Sequence, residues 1–391
     1  MQLNDNVVTY RCLTTLNEVD SIASAWRTLE KRCGDRLTYF QSFNWCRNWV
    51  ATFAGESAVL RFRIETVWRD GGLVAVWPLM VQTVGGIHVL QNLGAPHSQY
   101  CNLLCDDERL ADTITNTLLT RIEAEPACDV AVFHPVPQRS KLAHLLGTRP
   151  TIRGYNGNSA LLDLTAFADS ESYRAQAGKL KKRNRNRRRN QLARHGELKF
   201  EVVWPSDPRF ETLVRKCAAM KRQWLNETGR TSSGFSVNGF EDFLATLAGD
   251  EESLSGACLS VLSVGETVVA TELGFLQNGH YYAYIGSFDW DLRHLSPGKV
   301  QMEMTVCWLI DKGAAVYDLL GGEGDYKGSW TDRTIALDGY SLSFSWKGRV
   351  YASAWLPVLR PLAKRLYQSF PDGLRRLVAS AQSIGVLVLG I

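Results

Sequence analysis

The sequence predicts an α/β protein of the α+β kind, with two tandem domains that each contain a mostly antiparallel mixed sheet flanked by helices. Three observations predict it. The chain has 391 residues and 45% hydrophobic content, which is enough for two cores. Two strand-rich regions share one layout about 200 residues apart. A run of Lys and Arg lies between them and predicts a long basic helix that joins the domains.

Each strand-rich region predicts an antiparallel meander. The first contains RFRIETVW, LVAVWPLMVQ and IHVLQNL, and the second contains ACLSVLSV, TVVATELGFLQ and YYAYIGSF, in each case separated by glycine-containing turns. Apolar residues at helical spacing precede both meanders, at residues 18–31 and 43–53 and again at 207–229 and 239–249. The predicted boundaries are 1–165 for the N-terminal domain, 166–199 for the basic linker helix, 200–345 for the C-terminal domain and 346–391 for an amphipathic tail.

The basic stretch KLKKRNRNRRRNQLARHG holds nine Lys or Arg among its first sixteen residues and no acid. Asp169 or Ser170 would cap a helix that runs through it to about His195 and ends at Gly196. Nine charges on a helix of about 3.6 residues per turn do not fit on one face. Three interpretations stay open: a solvated linker, a surface for an anionic membrane or the phosphates of CoA, and a surface for RNA.

Several classes of protein are disfavoured. The N-terminus lacks a basic start followed by an apolar core, and no apolar run is long enough to span a bilayer. Nine cysteines without a Cys-x-x-Cys pair suit free thiols in a reducing cytoplasm. His97, Cys101 and Cys105 lack a fourth ligand and a familiar zinc spacing, so no metal is expected. We therefore expect a cytoplasmic protein, peripheral on the inner face of the membrane if the tail contacts lipid.

The second meander leads into the most informative stretch. The strand YYAYIGSF is followed by the loop DWDLRHLSPG, the helix KVQMEMTVCWLIDKG and the strand AVYDLL. In such a layout an anionic group of a ligand binds at the helix N-terminus, where backbone N–H groups are unpaired. RHLSPG, residues 293–298, resembles the Arg/Gln-x-x-Gly-x-Gly/Ala loop with which GNAT acyltransferases wrap the pyrophosphate of acyl-CoA. Ser296 and Pro297 depart from that pattern, so the loop is stiffer and has one donor fewer.

A narrower resemblance covers about residues 10–345. FQSFNWCRNWVATF, the duplicated layout, the basic helix, SPGK, YDLL and GDYKGSW resemble GNAT-type acyltransferases linked to cellulose and exopolysaccharide synthesis. That family is related to the Fem-type peptidoglycan aminoacyltransferases, which have two tandem GNAT-like domains. The resemblance implies two such domains here, with the acceptor at the first and acyl-CoA, as donor substrate, at the second.

The implied reaction is attack of an acceptor amine on the acyl thioester, which needs a base, an acid and donors for the phosphates. The candidate bases are Glu272, Asp318, Glu323 and Asp325, with Glu323 preferred, and Tyr326 is the candidate acid. The candidate acyl-CoA ligands are Arg293, His294, Ser296, Gly298, Lys299 and Lys327. Each of these residues also has a purely structural interpretation, as a solvated surface group or a satisfied internal one.

Two features bear on the acceptor. Trp45 and Trp49 lie four residues apart in the N-terminal aromatic block, which either docks a helix on the first sheet or lines an acceptor cleft. The tail combines apolar residues with Lys and Arg, which predicts either an interfacial helix or a segment that docks on the surface of the domain. We expect the acceptor to be an amino sugar of an envelope polysaccharide or, if the tail contacts lipid, a lipid-like long-chain amine such as a sphingoid-type base. An aminoacyl-tRNA-dependent transferase and a non-catalytic GNAT-like scaffold are the alternatives, and nucleic acid is the less favoured partner.

Overall fold

The computed structural model describes residues 8–33, 37–54, 60–106, 111–124, 128–176, 179–322, 327–331 and 333–370. The chain divides into two compact units, one formed by residues 1–158 and 335–391 and the other by residues 159–334. Both units combine a sheet with flanking helices, which confirms the predicted mixed α/β fold class.

The first part of the chain contains β1 Val8–Leu13, α1 Leu16–Ser21, α2 Ala23–Cys33, α3 Phe43–Phe53, β2 Leu60–Arg69, β3 Gly72–Val84, β4 Ile87–Asn92, β5 Leu104–Cys105, α4 Ala111–Glu123, β6 Val130–Pro137, α5 Lys141–Gly147 and β7 Ile152–Asp163. The second part contains α6 Ser170–Gln176, α7 Lys179–Ala193, β8 Leu198–Val203, α8 Phe210–Thr228, α9 Phe240–Ala245, β9 Gly249–Asp250, β10 Ser255–Val264, β11 Thr267–Gln277, β12 His280–Phe288, α10 Pro297–Asp311 and β13 Val316–Asp318. The chain then returns to the first unit through β14 Arg333–Ser343, α11 Trp346–Val350, a π-helical segment Tyr351–Leu359 and α12 Arg360–Ser369.

The strands of the two units follow the same order. In the first unit the order is β1-β2-β3-β4-β6-β14, and in the second it is β8-β10-β11-β12-β13-β7. One pair in each sheet is parallel, β4 with β6 and β12 with β13, and the other pairs for which register is defined are antiparallel. The internal duplication seen in the sequence is therefore present in the strand order as well as in the meanders.

The last strand of each sheet follows the other unit in the chain. β14 comes after the second unit but pairs antiparallel with β6, from Leu337 opposite Pro137 to Ser343 opposite Val130. β7 comes after the first unit but pairs with β13, with Leu162 opposite Tyr317. The unit boundaries therefore lie inside strands, at residues 158/159 and 334/335, and differ from the boundaries at 165 and 345 predicted from the sequence.

The N-terminal aromatic block packs inside the first unit. The Ser42 side chain accepts a hydrogen bond from the backbone N–H of Trp45 and caps α3, which spans the predicted residues. Trp45 Nε1 donates to Ser98 Oγ at 2.9 Å, and Trp49 Nε1 donates to His97 Nδ1 at 3.1 Å. Both tryptophans and His97 are buried. Their placement supports the docking interpretation of the block rather than an acceptor cleft lined by its rings.

The basic helix belongs to the second unit. It was predicted as one helix between the domains, but the structure has α6 and α7, both inside residues 159–334. Leu192 of α7 is buried in a cluster with Val269, Leu295 and Val300. Arg185 Nη2 donates to Tyr173 Oη at 3.0 Å. These contacts attach the helix to the core of that unit, so it does not act as a linker.

Candidate active site

The candidate site lies where β12 and β13 part. The two strands pair in parallel over three residues only, from His280 opposite Val316 to Tyr282 opposite Asp318, and β12 continues to Phe288 after β13 has ended. A bulge opposite Leu273 and Gly274 adds a residue to β12 at this point and bends the strand. A parallel pair that separates in this way leaves space for a ligand to contact the backbone of the longer strand.

The loop after β12 leads into the N-terminus of α10. A 3₁₀ turn over Trp290–Leu295 ends at Ser296, which has φ 57° and is the N-cap of α10. Pro297 follows at the first helical position, where its lack of an N–H costs nothing. A Cβ on Gly298 would lie 3.3 Å from Phe288 Cδ1, so a larger residue there would require the Phe288 ring to shift by a few tenths of an ångström. The 15-residue helix presents the positive end of its dipole at this loop.

Basic side chains surround this helix end. Arg293 is exposed, donates from Nη1 to the Trp290 carbonyl at 2.9 Å and places its guanidinium 5.0 Å from the centre of the Trp290 ring. His294 and Lys299 are also exposed. The predicted acyl-CoA ligands Arg293, His294, Ser296, Gly298 and Lys299 thus lie together at the start of α10. Their basic side chains and the N-terminus of a long helix favour an anion at this place, and their role as acyl-CoA ligands stays a prediction.

Lys327 lies elsewhere and has other contacts. Its Nζ donates to the carbonyl oxygens of Leu320, Gly321 and Gly322 at 2.9, 2.8 and 3.2 Å. Three acceptors satisfy the three protons of an ammonium group, and burial lowers the pKa of Lys327. Leu320 has φ 59°, a left-handed conformation that is costly for a residue with a branched side chain. Lys327 therefore fastens the chain after β13, and its role as an acyl-CoA ligand stays a prediction.

Asp318 is enclosed at the end of β13. Its Oδ1 accepts hydrogen bonds from Ser159 Oγ at 2.6 Å and from the Leu320 backbone N–H at 2.7 Å, and its Oδ2 is 3.0 Å from His280 Nε2. The side chain of Asp318 has no exposure to solvent. This placement favours the structural interpretation of Asp318 over that of a base that meets an acceptor. Glu323, Asp325 and Tyr326 lie outside the described residues, so their proposed roles stay predictions.

Glu272 is the carboxylate that the structure places beneath the open part of β12. It lies on β11 opposite Gly286, and a Cβ on that exposed glycine would be 3.9 Å from Glu272 Oε2. Tyr281 Oη donates to Oε1 at 3.1 Å, and Tyr317 Oη donates to Oε2 at 2.8 Å. Burial raises the pKa of Glu272 to about 7, although both tyrosine hydroxyls favour the charged form. A carboxyl group that titrates near neutral pH is suited to accept a proton there.

Gly274 makes this arrangement possible. Tyr281 and Tyr317 are register partners on β12 and β13, and their rings stack with centroids 5.4 Å apart. The Tyr281 ring lies directly over Gly274, where any Cβ would collide with it. The glycine thus allows Tyr281 to reach across the strand to Glu272.

Helix α10 adds polar groups to the same interior. Gln301 Nε2 donates to Ser260 Oγ at 2.6 Å and to Thr305 Oγ1 at 2.7 Å, and Gln301 also helps to stabilise the charged form of Glu272. Tyr281, Tyr317 and Gln301 are not among the site residues that the sequence predicts. The sequence could have indicated Gln301 through α10, which has no separate polar face. Its polar residues Gln301, Glu303 and Thr305 alternate with apolar residues and are buried.

An open cleft of about 620 Å³ in the first unit is lined mainly by polar residues, including Gln138, His144 and Asp338. In the described ranges no three His, Cys, Asp or Glu side chains are grouped as metal ligands. None of the helices described here has both the length and the hydropathy that a membrane span requires.

Residues 179–328 match the family model described as "Acetyltransferase (GNAT) domain". The match covers less than half of the chain and identifies a GNAT acetyltransferase domain within the second unit, which contains the candidate site. A search of the curated proteins found no match.

Solved structures share the fold at low sequence identity. FemX aligns with a TM-score of 0.57 and 12% identity over 88% of this chain and 98% of FemX. A DUF2156 domain from Agrobacterium fabrum, provisionally described as the C-terminal domain of a lysylphosphatidylglycerol synthetase, aligns with a TM-score of 0.54 and 15% identity over 84% of this chain and 92% of that chain. A protein of unknown function from Bacteroides thetaiotaomicron aligns with a TM-score of 0.51 and 14% identity over 86% and 99% of the two chains. These likenesses concern the fold; the family linked to cellulose and exopolysaccharide synthesis stays a prediction.

Proposed function

We propose that the protein is an N-acyltransferase that moves an acyl group from acyl-CoA to an amine. The observation that carries the proposal is the start of α10, where Arg293, Ser296, Gly298 and Lys299 surround a helix N-terminus beside the separating strands β12 and β13. The pyrophosphate of CoA would bind at this helix end, because backbone N–H groups and the helix dipole both favour an anion there. The acyl thioester would then extend along the open part of β12.

The chemistry follows from the groups beside that strand. An alkylamine is mostly protonated at neutral pH and must lose a proton before it attacks the thioester carbonyl. We propose that Glu272 takes this proton near the exposed Gly286, with Glu323 and Asp325 as the alternative bases. Backbone N–H groups of β12 would stabilise the oxyanion that develops on the carbonyl. Tyr326 is the proposed acid for the departing thiolate.

Ligand-induced stabilisation tests the donor. Acyl-CoAs with chains of two to eighteen carbons should raise the melting temperature of the purified protein, since a ligand that binds the folded state stabilises it. The double variant Arg293→Ala/Lys299→Ala should lose that shift. Lys312→Ala is the matched control, because Lys312 is an exposed lysine just past the other end of α10. The absence of a shift with every chain length, or equal shifts in all variants, would contradict the proposal.

We propose a lipid-like long-chain amine or an amino sugar of an envelope polysaccharide as the acceptor. Release of free thiol from acyl-CoA in the presence of pooled amines of both kinds tests this directly. Turnover by the purified protein would also exclude the alternative of a non-catalytic scaffold. A folded protein that binds acyl-CoA but releases no thiol with any amine would support that alternative.

A second function is an aminoacyl-tRNA-dependent transfer like that of the Fem-type enzymes. The observation that favours it is α7, on which Arg183 and Arg187 are exposed and no acidic residue is present. Binding to the phosphates of tRNA would fall steeply as salt is added. Salt-insensitive activity with acyl-CoA alone would exclude tRNA as the donor.

A further inference from the structure

The C-terminal segment, residues 346–369, carries an unusual apolar surface. Every large hydrophobic side chain that is exposed in the described part of the chain lies on it: Trp346, Val350, Val358, Leu359, Leu362 and Leu366. We call these six side chains the apolar face. Trp346 is 74% exposed and Leu366 is 61% exposed, so the face is not a set of partly covered core residues.

A change of helical pitch brings the six side chains to one side. Successive residues turn by about 100° in α-helix, and by about 80° in the wider π-helix with its i→i+5 bonds. The Arg360 N–H donates to the Trp355 carbonyl, which shows the wider turn, and Pro357 inside the segment lacks the N–H that a regular helix would use. Adding these turns along the α-, π- and α-helical parts of the segment gives the direction of each side chain around the helix axis. The six side chains of the apolar face then lie within a sector of roughly 80°.

The opposite side of the segment packs on the first unit. Ala352 is buried with Val89, Val130 and Val132, and Leu356 packs against the same cluster. A Cβ on Gly348 would collide with the Asp129 carbonyl, so the segment lies directly against the chain before β6. The apolar face is therefore held in place on a folded support.

The charges of the segment are of one sign. Between residues 346 and 370 the sequence has five Lys or Arg and no Asp or Glu. Lys347 lies on one side of the apolar face and Arg349 and Arg365 lie on the other, and all three are exposed. An isologous dimer through this face would bring the cations of two copies together, which is unfavourable. An anionic surface neutralises them.

We propose that the C-terminal segment docks the protein on a bilayer that contains anionic phospholipid. The apolar face enters the boundary between headgroups and acyl chains, and Lys347, Arg349 and Arg365 contact the phosphates around it. Trp346 lies where membrane-interface helices commonly place an aromatic ring. This inference is independent of acyl transfer and would hold for an inactive protein as well.

Vesicle flotation with the full chain tests the proposal. Vesicles of phosphatidylcholine with about 30% phosphatidylglycerol should bind the protein, and vesicles of pure phosphatidylcholine should bind it far more weakly. Leu362→Gln/Leu366→Gln should weaken binding roughly 30-fold without changing the net charge. The bilayer would bury about half of each leucine surface, and the variant lacks this apolar burial. Lys347→Gln/Arg349→Gln/Arg365→Gln should weaken it roughly 100-fold, at about fivefold per cation, and the difference should shrink in high salt.

Ser353→Gln is the matched control, since Ser353 is exposed on the same segment but outside the apolar face. It should bind vesicles as the unaltered protein does. Equal binding of vesicles by the control and by the leucine variant would overturn the proposal. The apolar face would then contribute nothing, and cations elsewhere on the protein would account for binding to the vesicles. A dimer in solution that the leucine variant dissociates, with vesicle binding unchanged, would also overturn it and would assign the face to a second copy of the chain.

Discussion

Replacement of Glu272 by Gln should change how the stability of the protein depends on pH. The variant keeps the shape of the side chain and removes its titration. Burial raises the pKa of Glu272 from 4.5 to about 7 in the folded protein, whereas the unfolded chain keeps the ordinary value. Between these two pH values the unfolded state has already lost the proton and the folded state still holds it. The free energy of unfolding therefore falls as pH rises through this window.

The size of the effect follows from the two pKa values. A difference of about 2.5 corresponds to about 3 kcal/mol of unfolding free energy, lost gradually between about pH 4.5 and pH 7. Urea unfolding of the unaltered protein and of Glu272→Gln over this range gives the difference curve, in which the contributions of all other groups cancel. We expect the unaltered protein to lose about 3 kcal/mol relative to the variant. A difference curve that stays flat from pH 4.5 to pH 8 would refute the proposed environment of this carboxyl group.

The same variant tests catalysis separately. If Glu272 is the base, kcat/KM of the unaltered protein should fall below about pH 7, and Glu272→Gln should reduce it by about 100-fold or more. A stability difference with unchanged kcat/KM would leave Glu272 as a structural residue. It would then direct attention to Glu323 and Asp325, for which Glu323→Gln and Asp325→Asn are the corresponding variants.

Three further predictions concern contacts around the site. Gly274→Ala should destabilise the protein by about 2 kcal/mol in urea unfolding, because the Tyr281 ring must move, whereas Gly147→Ala meets open space and should change little. Lys327→Met should cost about 1 to 3 kcal/mol of stability, because the backbone carbonyls that Lys327 contacts lose their donor, and should leave acyl-CoA affinity unchanged. Loss of affinity at unchanged stability would instead support a phosphate-binding role for Lys327. Arg185→Gln should lower stability in the same assay, while Arg183→Gln at an exposed position of α7 should not, and equal effects would contradict the anchoring role of Arg185.

Much of the fold was predictable because local patterns report local structure. Alternating apolar residues between glycine turns predicted both meanders, and α3 spans the predicted residues 43–53. The partners of β7 and β14 were not predictable in the same way. An apolar pattern shows that a segment forms a strand, but the strand beside it is chosen by pairing between residues that lie far apart in the chain, as Leu337 and Pro137 do. The difference between the predicted domain boundaries and the boundaries of the two units follows from these two strands.

The candidate site, like the fold, could be predicted from the sequence only in part. The loop at residues 293–298 was recognisable through its resemblance to the GNAT pyrophosphate loop and its place before a helix N-terminus. Glu272 was one candidate among several acids, and only its surroundings single it out. The hydroxyls that hold it come from Tyr281 on the neighbouring strand and from Tyr317 on the strand beyond. These contacts depend on the register of β12 and β13 and on the absence of a side chain at Gly274.

The basic helix shows why charge counted along a sequence is an incomplete guide to function. All nine cations of residues 179–194 look alike in the sequence, which does not distinguish those that face solvent from those that contact the core. In the structure Arg185 points inward, where its Nη1 lies 3.8 Å from Glu303 Oε1 and its guanidinium stacks on Tyr173. That residue attaches α7 to α10, the helix whose N-terminus is the proposed phosphate site. A charge reversal restricted to the exposed Arg183 and Arg187 therefore tests anion binding by α7 while Arg185 keeps its contacts with the core.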